Sequence, residues 1–188
     1  EEMLKDGLID AYNNYHMGVT AENVAEMWNI TRKQQDEFAV SSQHKAQNAI
    51  KNNKFRDELI DNNFTDEHPR SDVTLESLSN LKTVFKKNGT VTAGNSSGIN
   101  DGAACVLMMQ RDEAEKKNLN VLAKIKSWAT CGVDPSLMGL GPIPASKKAM
   151  EKADWTSKDL DLIESNEAFA AQSIAVVKEL NLPTEKVN

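Results

Sequence analysis

Apolar residues recur at helical spacing over the first third of the chain and gather into short apolar runs after residue 100. In TAENVAEMWN, Val24, Met27 and Trp28 follow Thr20 at the spacing of one helix face, with Thr20 as the expected N-cap. Thr31 opens a second helix, and Gln34 three residues on gives it a capping-box pattern. Phe38, Ala39, Ser42, Ala46, Ala49 and Ile50 mark one face of that helix. Residues 61–74 (DNNFTDEHPRSDVT) read as a polar loop, and Thr74 caps a short helix over TLESLSNL, with Ser77 facing out.

The pattern changes after Phe85. KKNGTVTAGNSSGINDGAACVLMM is rich in Gly, Asn and Ser and then turns apolar. Val106 to Met109 reads as a buried strand, RDEAEKKN as a charged helix, and Val121 to Thr130 as a second strand. Pro142 begins a helix to Ala153, as first-turn prolines do. Leu160 to Glu164 reads as a third strand, followed by a last helix from Glu167 to Leu180. Strands alternating with helices predict an α/β sheet, largely parallel in its last units, with the helical first part as a separate lobe.

Composition narrows the function classes. The 188 residues carry a net charge of -6, so global charge gives no footprint for nucleic acid. No apolar run is long enough to span a membrane. Two cysteines, Cys105 and Cys131, do not make a disulfide framework and suggest a reducing compartment. CxxC and HExxH are absent and the three histidines are scattered, so no metal site is expected. The chain starts EEMLKDGLIDA and stops at TEKVN, which reads as an internal piece of a longer protein.

Three stretches could carry chemistry. TAGNSSGINDGA is either a tight loop using Gly and Asn for positive φ, or a loop that brings backbone and Ser97 close to an extended ligand. MGLGPIPA is either punctuation between elements or, through Met138, part of a site. SNEAFAAQ places Asn166 and Glu167 where a strand hands over to a helix. There Asn is either a helix-starting residue or a group at the ligand end of an open sheet. A lone His16 beside aromatics reads as a packed residue. Cys105, inside AACVLMM, reads as core because an apolar run disfavours a thiolate. Arg70, in DEHPR, is either a surface residue or a phosphate contact.

Taken in order, YHMGVTAENVAEMWNITRKQQDEFAVSSQHKA, GTVTAGNSSGINDGA, GVDPSLMGLGPIPA and SNEAFAAQ resemble the thiolase family over nearly the whole chain. The resemblance implies a partial thiolase-like α/β fold (layered αβαβα) with an inserted, mainly helical loop domain. Residues 1–85 would be part of that loop domain, 86–120 the end of the N-terminal half, and 121–188 the start of the C-terminal half. It implies an acetyl-CoA C-acetyltransferase that joins two acetyl-CoA into acetoacetyl-CoA, and the reverse thiolysis, through a cysteine acyl-enzyme. Coenzyme A thioesters would be substrates, with no other cofactor. A homodimer or homotetramer is also implied. Composition rather than the resemblance gives the expectation of no nucleic-acid or membrane partner and of a cytoplasmic location, with a mitochondrial or peroxisomal one as the alternative.

By the same resemblance Asn166 is the catalytic residue, holding a water at the oxyanion site, while Glu167 secures local structure. Leu8, His16, Met17, Phe85, Ala93, Ser97, Met138, Ala168 and Phe169 would lie around the pantetheine arm. Arg70 and Ser77 would meet the nucleotide end of CoA. Pairing His16 with Met17 resembles biosynthetic-type members. The family's nucleophilic Cys, its Gly-His-Pro histidine and its second Cys match nothing in these residues. The stretch DELIDNNFTDEHPR is also shorter than its counterpart in the family. The alternatives are a CoA-binding or scaffolding fragment without catalysis, and a longer-chain 3-ketoacyl-CoA thiolase.

Overall fold

A computed structural model describes residues 2–61 and 65–188, so residues 62–64 of the expected polar loop lie outside the described residues. Six α-helices carry the structure: α1 (Met17–Met27), α2 (Arg32–Lys51), α3 (Leu75–Ser79), α4 (Arg111–Lys116), α5 (Pro142–Ala153) and α6 (Ala170–Glu179). A π turn at Leu4–Leu8 and short 3-10 turns, including Pro135–Leu140, connect them.

Local chemistry explains most boundaries. Thr31 and Gln34 close the expected capping box at α2, and Thr74 closes one with Ser77 at α3. Pro142 stands at the first turn of α5. Helix α1 starts earlier than its pattern suggests. His16 is its N-cap, its Nδ1 accepting from the Gly18 N–H at 3.0 Å. Thr20 instead sits inside the first turn, where its hydroxyl donates to the Met17 carbonyl at 2.6 Å. Helix α6 starts at Ala170 with Phe169 as N-cap, so Asn166 is not a helix-starting residue.

Five of the six described helices, all but α3, end by one device. After α1, Asn29 takes a left-handed φ of 52°; its N–H reaches the Glu26 carbonyl and the Ile30 N–H reaches Ala25. This is a Schellman ending with Asn in the place Gly usually takes. Asn53, Asn118, Asp154 and Asn181 repeat it after α2, α4, α5 and α6. Among the described residues no glycine has positive φ, so the glycines of TAGNSSGINDGA are not there for left-handed turns. Two of them serve close approach: a Cβ on Gly94 would lie 2.6 Å from the Leu78 and Leu81 side chains and one on Gly98 2.3 Å from the His68 ring, while Gly102 faces open space.

The core joins the two ends of the chain. Helix α1 packs on the 135–140 turn and on α6, and α2 packs on α3 and α6. Val24, Ile30, Leu140, Ile143, Ala175, Val176, Leu180 and Leu182 form the buried cluster. Burying a side chain such as Val24, which is fully enclosed, contributes roughly 1.5–3 kcal/mol.

The three expected strands are not realised as ladders. Among the described residues only isolated bridges occur; one, Ile163 with Val187, is parallel and falls in the third expected strand. A strand exists only through its hydrogen-bonded neighbours. Residues 106–109 and 121–130 find none, and Leu107 and Leu122 stand 82% and 92% exposed. Cys105 is accordingly exposed rather than core, and Cys131 is half-buried.

Candidate functional site

The site is assembled on a buried polar frame that fixes the loop at residues 89–98. Glu22 of α1, 3% exposed, accepts from the Thr90 N–H (2.8 and 2.9 Å), the Thr90 hydroxyl (3.0 Å) and the Val91 N–H (2.9 Å). Gly89 makes room for it, since a Cβ there would lie 2.1 Å from Glu22 Oε1. Gln35 of α2 donates to the Thr90 hydroxyl at 2.9 Å. Asp36, 1% exposed, accepts from Arg32 Nε at 2.8 Å and from Asn95 Nδ2 at 3.0 Å. Arg32 also donates through Nη2 to the Leu78 and Leu81 carbonyls, which ties α3 to the same frame. A buried carboxylate is tolerable here because each is met by several donors.

The loop then pairs with the segment that precedes α6. Asn95 turns its own loop, its Oδ1 accepting from the Thr92 N–H at 2.8 Å. Its carbonyl accepts from the Ala170 N–H at 2.9 Å, and the Ser97 N–H donates to the Ala168 carbonyl at 3.0 Å. Ser96 and Phe169 form the bridge between these bonds. Glu167 is held from α2 by the Ser42 hydroxyl, 2.5 Å from Oε2. This agrees with the structural role expected of Glu167.

Asn166 lies within this segment and is solvent-exposed on a cleft of about 800 Å³. Phe38, Ala39, Ser42, Ala46 and Ala49 of α2 line the same cleft, together with Ser97 and His68. The helix face legible in the sequence therefore opens onto the cleft. An aromatic line runs beside it. His16 stacks on Phe85 with ring centroids 4.6 Å apart, and Phe85 meets Phe169 edge-on at 6.2 Å. A Cβ on Gly18 would lie 2.2 Å from the Phe85 ring, so glycine there admits the stack.

Ser97, Ala168, Phe169, Phe85 and His16 are thus joined by stated contacts that begin two residues after Asn166. Met17 follows His16 at the start of α1, and Leu8 precedes Ile9, which bridges to His16. Ala93 is exposed on the framed loop. Arg70 is exposed, its N–H bonded to Gln43 Oε1 on α2 at 2.9 Å, next to Pro69 and His68 on the cleft rim. The Ser77 hydroxyl is spent on the α3 cap, accepting from the Thr74 N–H and donating to the Thr74 carbonyl. Met138 is 48% exposed on the 135–140 turn. Its turn begins at Asp134, whose carboxyl the Ser136 hydroxyl and N–H hold below the usual carboxylate range.

The residues missed from sequence are Asp36, Asn95 and Ser42, which position the segment, and His68, whose ring packs against Gly98. Gln35 and Asp36 carried a signal: two polar residues beside Phe38 and Ala39 on a buried helix face. Chemically the cleft offers an amide dipole that does not titrate, and backbone groups held in register. Neither cysteine lines it, and among the described residues no cluster of metal-ligating side chains occurs. An amide of this kind can hydrogen-bond a carbonyl or a water. The cleft's potentially nucleophilic side chains include the Ser42 and Ser97 hydroxyls, Lys45 and His68, and neither cysteine is among them.

The site therefore consists of an exposed Asn166 on the cleft, a following segment tied to the framed 95–97 loop and to α2, and the His16–Phe85–Phe169 stack that reaches that segment at Phe169. Family models for the thiolase N-terminal domain match residues 1–112 and for the thiolase C-terminal domain residues 119–188. The chain belongs to the thiolase family, and its partial thiolase-like fold is shared with solved members. The acetyl-CoA acetyltransferase of Bacillus anthracis superposes with a TM-score of 0.92 at 45% identity, over 100% of this chain and 50% of that one. Human mitochondrial 3-ketoacyl-CoA thiolase superposes at 0.93 with 42% identity, again over 100% and 50%. Among curated relatives, the acetyl-CoA acetyltransferase of Paracoccus denitrificans is 54% identical over 198 residues, covering all of this chain and 51% of the relative. That of Rhizobium meliloti is 52% identical, covering all of this chain and 50% of the relative. The chain spans about half the length of the curated relatives it matches. Among the described residues no helix is long and apolar enough to cross a membrane.

Proposed function

We propose that these residues serve an acetyl-CoA C-acetyltransferase, which condenses two acetyl-CoA into acetoacetyl-CoA and CoA and runs the reverse thiolysis. The observation that carries the reading is Asn166, exposed on the cleft within a segment bonded to the 89–98 loop on one side and to α2 on the other. Its amide would orient a water toward the thioester oxygen as negative charge develops there, the kind of preorganised donor that stabilises an enolate or oxyanion. The His16–Phe85–Phe169 line would flank the pantetheine arm, with Leu8, Met17, Ala93, Ser97, Met138 and Ala168 around it. Arg70 would meet the nucleotide end by its charge. Ser77 is a weaker candidate for that end, because its hydroxyl is committed to a cap.

The attacking thiolate of this chemistry is to be sought outside residues 1–188, since Cys105 and Cys131 are away from the cleft lining. CoA enters as substrate and no separate cofactor is called for. Residues 1–85 are read as loop domain, 86–120 as the end of the first half and 121–188 as the start of the second. A homodimeric or homotetrameric, cytoplasmic enzyme completes the reading. The names of relatives support it: acetyl-CoA acetyltransferases at about half identity. A structure of human mitochondrial 3-ketoacyl-CoA thiolase in complex with CoA, at 42% identity, supports CoA thioesters.

The test uses the full-length protein that supplies the attacking thiolate, because residues 1–188 alone should not turn over the thioester. Acetoacetyl-CoA should be cleaved in a CoA-dependent reaction, faster than a long-chain 3-ketoacyl-CoA. Asn166→Ala should lower turnover by about a hundredfold or more while CoA binding changes little, as for loss of an oxyanion donor. Full turnover in that variant removes the role assigned to Asn166; absence of thiolysis in the wild type removes the whole reading.

A further inference from the structure

We propose that Asp36 and Ser42, two residues on the same helix, are positioning residues that aim Asn166. This rests on the function proposed above and adds to it the means by which the amide is held. Asn166 has no regular element of its own, for α6 begins four residues later. Ser165 before it bonds the Asn188 carbonyl, and the residues just after it are held by two tethers that both start on α2. On one side the Ser42 hydroxyl binds the carboxylate of Glu167, the residue next to Asn166. On the other, Asp36 fixes the Asn95 amide, and the backbone of Asn95 to Ser97 bonds Ala168 and Ala170.

The two tethers start about one and two-thirds helical turns apart on α2, so a single rigid rod sets the 167–170 span that directly follows Asn166. Burial makes the Asp36 arm stiff. Both carboxylate oxygens are used, one by Arg32 and one by Asn95, at 1% and 3% exposure of Asp36 and Asn95. Asn95 cannot rotate away without also releasing the Thr92 N–H and the Thr90 carbonyl. The Ser42 arm is half-buried and lines the cleft, so it can be cut without emptying the core. Neither residue needs to touch substrate; each acts through the geometry of the 166–170 segment.

The experiment is a double-mutant cycle on the intact protein, read as kcat and KM for acetoacetyl-CoA thiolysis. Ser42→Ala should lower kcat by about tenfold or more with KM within about twofold, since a displacement near an ångström at a reacting centre costs of that order. Ser42→Thr, which keeps a hydroxyl, should recover most of the loss. In an Asn166→Ala background, Ser42→Ala should change kcat no further, because its effect passes through the amide already removed. Asp36→Asn should behave the same way where it folds, and Ser42 decides the matter where it does not. An unchanged kcat in Ser42→Ala, or a loss of equal size with and without Asn166, overturns the proposal. If Asn166→Ala itself keeps full turnover, the fault lies in the proposed function and this inference falls with it.

Discussion

Replacing Glu22 by Ala should free the loop that carries the site. The wild-type carboxylate takes two backbone N–H groups, of Thr90 and Val91, and the Thr90 hydroxyl, all between 2.8 and 3.0 Å. Hydrogen bonds to a charged acceptor contribute about 1.5–3 kcal/mol each, and an abandoned buried donor costs roughly 1–3 kcal/mol. Val91 is fully buried, while Thr90 is partly accessible and can find water. The opening free energy of this loop should therefore fall by about 3 kcal/mol rather than by the full sum. That corresponds to roughly hundredfold faster exchange of the Thr90 and Val91 amide hydrogens. Native-state hydrogen exchange of the intact protein, read on peptides spanning residues 88–93, measures it. Glu22→Gln should fall between, at about tenfold, because one oxygen can still meet both backbone donors. Protection in Glu22→Ala within about threefold of wild type would refute the reasoning, because the loop would then be held by something other than this carboxylate.

Two further predictions concern the aromatic arm and the turn before α5. Gly18→Ala should push the Phe85 ring off His16, because the new methyl would sit 2.2 Å from it. A cost of about 1–3 kcal/mol and a raised KM for acyl-CoA are expected, and unchanged stability with an unmoved ring would contradict this. Asp134 should titrate below the ordinary aspartate range by NMR, since the Ser136 hydroxyl and N–H bonds favour its ionised form. With the folded value depressed, its cap on the 135–140 turn is fully present above the ordinary carboxylate range. The cap is lost as pH falls through the folded value. A midpoint in or above the ordinary aspartate range would refute the role given to that cap.

What was legible in the sequence was local. The capping boxes at Thr31 and Thr74, the proline start of α5 and the face of α2 follow from residues within a few positions of one another. The segment around Asn166 was legible as a motif. The frame behind it was not, because Glu22 meets Thr90 across 68 positions and Asp36 meets Asn95 across 59. No local pattern distinguishes a buried carboxylate with distant donors from one in solvent. The strands failed for a related reason. Val106 to Met109 has strand character, but a ladder depends on neighbours that the described residues do not supply. Thr20 was read as a cap because Thr often is one; its hydroxyl instead found the carbonyl three residues back, and His16 took the role.

The division of labour between asparagine and glycine foretells an uneven tolerance to mutation. Left-handed turns fall to Asn14, Asn29, Asn53, Asn88, Asn118, Asp154 and Asn181. Glycine enters that conformation without the steric penalty of a side chain, so exchanging these residues for glycine should pass quietly through a saturation library. The reverse exchange should not. Gly18, Gly89 and Gly94 each face a neighbour where even a methyl group would intrude, so the survivors there should be almost entirely wild type. The same pair of amino acids would then be interchangeable in one direction at one set of positions and in neither direction at the other.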